Sequence, residues 1–86
     1  MRKTNQLIMA ISIIMLSSCA TEFNIISDDV PVSVSSAFKT KYPSVTATEW
    51  EVEKSDGRLT YEAAFKLDGK RKEAAFKPDG TFINEH

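Results

Sequence analysis

The octapeptide EAAFKLDG at residues 62–69 returns as EAAFKPDG at residues 73–80, so the chain repeats one pattern at a spacing of eleven residues. Each copy joins a strand-like segment to Asp-Gly, a dipeptide that accepts the positive φ angles of a tight turn. The repeat therefore predicts two consecutive strands of an antiparallel meander. Its period is too short for a solenoid, whose repeats span roughly 20–50 residues.

The pairing of these two strands follows from the turn at residues 68–69. A two-residue turn there places Ala63 opposite Ala74 and Tyr61 opposite Phe76, on one face of the sheet. The two alanines are small, so we expect a helix to lie close across the middle of that face.

A further strand precedes the repeat. Trp50 and Val52 alternate with acidic residues, which predicts a half-buried strand. A four-residue loop over residues 54–57 would place Val52 opposite Leu59 and Trp50 opposite Tyr61. Both apolar sets then share the inner face, as a hairpin with one buried side requires.

The last strand follows the turn at residues 78–80, whose sequence Pro-Asp-Gly is typical of a type I turn closed by a left-handed glycine. This turn places Phe76 opposite Phe82 and leaves Ile83 pointing outward beside Ala75. The strand is an edge without the lysine or proline that commonly protects one. We therefore predict partner contacts at Phe82, Ile83 and Ala75. A second copy could pair there and form a homodimer through the C-terminal edge strand, and a monomer is the alternative.

A helix from about Pro31 to Lys41 precedes the strands. Its apolar side chains, which include Val34 and Phe38, form one stripe at helical spacing, and Pro43 ends it. The predicted fold class is α+β, with one N-terminal helix packed on a four-stranded antiparallel β-meander.

The first eighteen residues are typical of a signal peptide. Arg2 and Lys3 give a positive start, and residues 7–16 are apolar except for Ser12, a run well short of the roughly 20 residues of a membrane-spanning helix. Without this segment, eleven basic residues become nine against twelve acidic ones, and the formal charge changes from -1 to -3. A mildly acidic domain argues against nucleic acid as a partner.

The apolar run ends at Leu16, and the four residues Leu16-Ser17-Ser18-Cys19 resemble the lipobox of bacterial lipoproteins. This resemblance implies that Cys19 is acylated and becomes the mature N-terminus, which makes the membrane a partner through the lipid. Ala20, rather than Asp, is similar to the pattern of lipoproteins sent to the outer membrane. We therefore expect an anchored protein of the bacterial cell envelope that faces the periplasm.

The segment after the cysteine shows no helical or alternating period and is predicted to be a tether. Fully extended, ten residues reach about 33 Å. Phe23, Ile25 and Ile26 could pack back on the domain or touch lipid headgroups, and both alternatives stay open. The predicted organisation is a signal peptide at 1–18, the lipidated cysteine and tether at 19–29, and a single domain at 30–86.

Short motifs across the domain resemble the PepSY-like (β-lactamase-inhibitor-like) domains of small secreted and lipid-anchored bacterial proteins. The matching residues are Val30-Pro31, Ala37-Phe38, Tyr42-Pro43, Trp50, Tyr61-Glu62-Ala63 and two Asp-Gly turns. The resemblance covers about residues 30–85 and implies a helix on an antiparallel sheet, one half of the two-unit arrangement that is frequent in that group. It implies no catalytic residues.

The residue types argue against catalysis and cofactor binding. His86 is the sole histidine and Cys19 the sole cysteine, so a nucleophilic triad, a CxxC motif and an internal disulfide are excluded. We predict no catalytic, cofactor-binding or metal-ligating residues.

Two charged clusters invite a functional interpretation. Glu49, Glu51 and Glu53 could serve a metal or acid/base site, but their spacing of two favours the solvated face of a strand, with cross-strand pairs such as Glu53 with Arg58. Basic residues around the second hairpin could form a patch for an anionic partner, or could simply protect strand ends. Among these basic residues, the predicted partner contacts are Lys70, Arg71 and Lys72.

Trp50 and Tyr61 could form a platform for carbohydrate or peptide, although their inward position favours core packing. The sequence as a whole predicts a lipid-anchored, non-enzymatic envelope protein that binds an unidentified envelope protein, as an inhibitor-like accessory module. The alternatives are a structural or assembly component without a defined ligand, and a small-ligand sensor.

Overall fold

The computed structural model describes residues 21–86, which form one antiparallel sheet and one helix. The elements are β1 (Thr21–Ile25), a 3-10 helix (Ser27–Asp29), α1 (Val32–Lys41), β2 (Glu49–Ser55), β3 (Arg58–Leu67), β4 (Lys70–Phe76) and β5 (Phe82–Glu85). The five strands lie side by side in chain order. The α+β class is confirmed, but the prediction of four strands with the helix first is wrong, because β1 precedes the helix.

The additional strand comes from the segment that was predicted to be a tether. β1 pairs antiparallel with β2, so that Phe23 lies opposite Val52 and Ile25 opposite Trp50. Ile25 packs against the core, whereas Phe23 and Ile26 are 52% and 64% exposed. Hence Ile25 packs back on the domain, while the other two remain on the surface. Cys19 and the predicted signal peptide lie outside the described residues.

The helix agrees closely with the prediction. Pro31 caps α1, and Val34 and Phe38 are its buried residues. The backbone N–H of Tyr42 donates to the carbonyl of Phe38 and closes the last turn. No helix among residues 21–86 is long and apolar enough to cross a membrane.

The first hairpin has a tighter turn than the predicted four-residue loop. Asp56 and Gly57 both have positive φ angles, of 55° and 75°, and form a two-residue turn. Val52 therefore lies opposite Tyr61 and Trp50 opposite Ala63, which corrects the predicted pairing by two residues. Because side chains alternate with a period of two, this shift leaves the same residues on the inner face.

The second hairpin confirms the predicted pairing. Asp68 and Gly69 form its turn, with Ala63 opposite Ala74 and Tyr61 opposite Phe76. Ala63 and Ala74 are fully buried in the core cluster, as expected of small residues beneath a helix.

In the third hairpin, the predicted pairing of β4 with β5 is confirmed next to the turn and is wrong further along the strands. Phe76 lies opposite Phe82, but the register then shifts, so that Asn84 and not Ile83 is opposite Ala75. Ile83 is the extra residue of this bulge. A bulge residue has no partner in the opposing strand. The regular alternation of polar and apolar residues in a sequence does not indicate where such a residue lies.

The core lies between α1 and the inner face of the sheet. Phe38 reaches down from the helix and meets the rings of Trp50, Phe65 and Phe76 edge-on, with centroids 5.6, 5.3 and 6.4 Å away. Edge-to-face aromatic pairs add stabilisation beyond the area they bury. The burial of Trp50 here supports its interpretation as a core residue, and Tyr61 packs partly buried beside the same cluster.

Candidate functional site: the edge strand β5 and its surroundings

The strand β5 is an open edge of the sheet that is fixed near its end by side-chain contacts from two directions. The phenol of Tyr42, just after α1, donates a hydrogen bond to Glu85, and the Lys72 ammonium lies 3.5 Å from the same carboxylate. The hydrogen bond from Tyr42 lowers the pKa of Glu85, and the charge of Lys72 lowers it further. Burial and the bond to Glu85 raise the pKa of the Tyr42 phenol.

The residue after β5 continues the pairing. His86 and Glu73 exchange both backbone hydrogen bonds, at 2.7 and 2.8 Å, and His86 Nε2 lies 3.1 Å from Glu73 Oε1. In an antiparallel ladder, hydrogen-bonded and non-hydrogen-bonded pairs alternate. The backbone N–H and C=O of Glu85 therefore point away from β4, toward the open edge.

The side chains of β5 present an apolar surface beside this edge. Phe82 is 38% exposed, packs on Phe76 with a centroid distance of 5.8 Å, and has the Lys41 ammonium 4.3 Å from its centroid. Ile83 is 42% exposed. Ala75 is only 3% exposed, so the predicted contact with a partner at this side chain is wrong. The residue opposite Ala75 is Asn84, and not Ile83 as predicted.

The predicted basic contacts do not form one patch. Lys70 is exposed next to the Asp68-Gly69 turn, Arg71 pairs with Glu73 at 3.0 Å, and Lys72 pairs with Glu85. Arg71 and Lys72 are consecutive in a strand, so their side chains leave opposite faces of the sheet. Only Lys72 lies beside β5.

The outer face of the sheet carries a carboxylate cluster that the sequence did not predict. Oxygen atoms of Glu22, Glu51 and Glu62, from three adjacent strands, all lie within 4.8 Å of one another. Burial, and next the charge of Glu22, raises the pKa of both Glu51 and Glu62. Close carboxylates could share a proton or accept a hard cation, but exposed acidic groups often cluster without an ion, and this cluster alone defines no metal site.

The first-hairpin register also changes the expected ion pair on this face. Glu53 lies opposite Thr60, and Arg58 lies opposite Ser55. The predicted pair of Glu53 with Arg58 is therefore wrong, because it depended on the longer loop. Asn24 of β1 instead contacts the acidic residues of this face. With its amide group oriented so that the nitrogen faces the carboxylates, it donates to Glu49 and to Glu51, each at 3.1 Å.

Two shallow grooves lie at other places on the described surface. One runs beside α1 and includes Phe38, Lys39 and Trp50. The other lies at the end of the sheet, between the β2–β3 and β4–β5 turns, and includes Arg58, Lys77 and Ile83.

Comparison with known proteins gives no match to a family model and no match to a curated protein. The PepSY-like resemblance therefore stays a hypothesis that rests on the short motifs quoted above.

Proposed function

We propose that this chain is a lipid-anchored, non-enzymatic protein of the bacterial envelope whose PepSY-like domain binds another envelope protein through the edge of β5. Acylation of Cys19 would anchor it in the outer membrane, facing the periplasm. The observation that carries the binding proposal is the open edge at Glu85, whose backbone donor and acceptor point away from the sheet.

An edge of this kind supports strand addition, in which main-chain hydrogen bonds supply affinity and side-chain contacts supply specificity. The contacts from Tyr42 and Lys72 fix Glu85 before a partner arrives. A fixed edge loses little conformational freedom on binding, which favours affinity. Phe82 and Ile83 supply exposed apolar surface next to it.

Two variants at one position test the role of the backbone. Glu85→Pro removes the outward N–H together with the side-chain contacts, whereas Glu85→Ala removes only the side-chain contacts. Affinity capture from envelope extracts, with the acylated protein as bait, should recover a stoichiometric partner with Glu85→Ala but not with Glu85→Pro. Equal recovery by two variants that melt at the same temperature would contradict strand addition.

A second copy of the chain is one partner that this edge could accept, by symmetric antiparallel pairing of two β5 strands. Light scattering over a range of concentrations should then show a dimer that Ile83→Lys weakens. A monomeric mass at every concentration would exclude a second copy as the partner, so that the edge would have to bind a different protein.

The alternative functions predict different results, the first in the same capture experiment and the second in a fluorescence experiment. A structural or assembly component would recover only lipid and cell-wall components. A small-ligand sensor would use the groove beside α1, and a ligand there should change the fluorescence of Trp50, which lines it.

A further inference from the structure

The strand β1 brings one end of the sheet close to the predicted acylation site. Thr21 is the first residue of β1, and only Ala20 separates it from Cys19 in the sequence. Consecutive Cα atoms are 3.8 Å apart, so the two Cα atoms can be at most about 7.6 Å apart. If Cys19 is acylated, as the proposed function requires, this end of the sheet must lie next to the bilayer surface.

Strand register identifies what else lies at that end. Thr21 lies opposite Lys54, which is followed by the β2–β3 turn and then by Arg58 and Leu59. The β4–β5 turn lies at the same end, because Arg58, Leu59, Lys77 and Ile83 line one groove. We name this surface the proximal end, defined by Lys54, Arg58, Leu59, Lys77 and Pro78.

The opposite end of the sheet is far from the anchor. β3 runs from Arg58 at the proximal end to Leu67 beside the Asp68-Gly69 turn. At the usual rise per residue, these ten residues span roughly 30 Å. We name the surface of Lys66, Asp68, Gly69 and Lys70 the distal end.

The exposed side chains of the proximal end suit a phospholipid surface. Leu59 is 36% exposed, and Phe23, two residues beyond Thr21, is 52% exposed. Apolar side chains of this kind can enter the boundary between headgroups and acyl chains. The apolar surface is rimmed by cations.

Those cations are free to contact lipid phosphates. Within the described residues 21–86, the ion pairs involve Arg71, Lys72 and His86, and none includes Lys54, Arg58 or Lys77. Arginine and lysine bind phosphate oxygens through charge-assisted hydrogen bonds.

Acidic residues are present in the same turns and moderate the charge. Asp56 lies in the β2–β3 turn, and Asp79 lies in the β4–β5 turn, where its carboxylate accepts a hydrogen bond of 2.9 Å from the Thr81 N–H. The surface is therefore of mixed charge. Proximity to the anchor and exposed apolar groups, more than net charge, favour the bilayer.

We propose that the proximal end rests on the phospholipid headgroups, so that the strands of the sheet lead away from the membrane. This inference depends on acylation of Cys19, and it adds an orientation to the anchored domain. A flexible ten-residue tether would have fixed no orientation, so the inference follows from β1 being a strand.

The experiment uses the full acylated protein in vesicles of phosphatidylethanolamine and phosphatidylglycerol. Because the sole native cysteine would be acylated, Ser55→Cys and Lys66→Cys each introduce one thiol for a fluorophore, at the proximal and distal ends. Nitroxide groups on the lipid heads should quench the label at residue 55 several-fold more than the label at residue 66.

Matched charge variants test the cations, both with the label at residue 55. Arg58→Ser with Lys77→Ser should reduce its quenching, whereas Lys66→Ser with Lys70→Ser should not. Mass spectrometry of Cys19 separates the two proposals. Equal quenching at both labels in protein shown to be acylated would overturn the orientation and leave the anchor intact, whereas an unmodified Cys19 would contradict the anchor itself.

Discussion

The phenol of Tyr42 and the carboxylate of Glu85 are 43 residues apart in sequence, and their hydrogen bond joins the end of α1 to the last strand. It joins the two layers of the fold at the margin of the aromatic core, because the Tyr42 ring packs on Phe38 and Phe65 with centroid distances of 5.3 and 4.5 Å. Because it lies at the edge where we propose binding, it links the stability of the domain to the geometry of that edge.

The Tyr42–Glu85 bond should make stability depend on pH. The pKa of Glu85 is lowered in the folded state, so its contribution is present above the unfolded pKa and is lost as the pH falls through the folded pKa. Tyr42→Phe should therefore lower the melting temperature at pH 7 and have much less effect once the pH is below the folded pKa of Glu85. Thermal unfolding across this range checks it. A constant difference would mean that the bond contributes little.

The carboxylate cluster should have the opposite pH dependence. The pKa of Glu62 is raised on folding, so its stabilising contribution is present below the unfolded pKa and is lost as the pH rises through the folded pKa. Glu62→Gln, which keeps the shape and removes the charge, should raise the melting temperature at pH 7. The gain should disappear below about pH 4, where the wild-type carboxyl is also neutral. A loss of stability at pH 7 would contradict this account.

The helix α1 approaches the β4–β5 turn closely at Gly80. Its φ angle is +94°, and an added Cβ would lie 2.6 Å from the backbone oxygen of Ser33 in α1. Gly57 also has a positive φ, but a Cβ there would meet nothing within 4 Å. Gly57→Ala should therefore cost only the backbone strain of about 1–2 kcal/mol, and Gly80→Ala clearly more. Denaturant unfolding compares the two, and equal costs would argue against the contact.

The aromatic core should tolerate truncation poorly. Phe76 is 1% exposed and lies beneath Phe38, so Phe76→Ala should reduce the free energy of unfolding by about 3–5 kcal/mol. A domain of this size has little stability to lose. Phe23→Ala is the control on the edge strand β1 and should cost about 1 kcal/mol or less. Similar losses at both positions would show that β1 carries more of the fold than its exposure suggests.

The sequence predicted the elements whose signals are local. Asp68-Gly69 defines both the turn and the pairing of Ala63 with Ala74, and a positive φ at both turn residues is what this dipeptide accepts. The first hairpin was placed two residues out of register, because Lys54 and Ser55 are polar and look like loop residues. Both continue the strand instead.

The sequence did not predict β1, and the carboxylate cluster was missed with it. β1 has only two alternating apolar residues, and its partner strand lies beyond the whole of α1, so no local turn indicates the pairing. Over residues 19–29 as a whole no period is visible, but four residues within that segment do alternate. Glu22, Phe23, Asn24 and Ile25 alternate polar and apolar side chains as Glu49, Trp50, Glu51 and Val52 do.

The short covalent path between Cys19 and β1 limits where an anchored domain can work. If Cys19 is acylated as proposed, a ten-residue tether would let the domain sample a hemisphere of the periplasm, whereas a path of at most about 7.6 Å would keep the sheet beside the lipid. Its search for a partner then becomes lateral diffusion in two dimensions. Any protein that it meets must come to the membrane surface, within about one strand length of the headgroups.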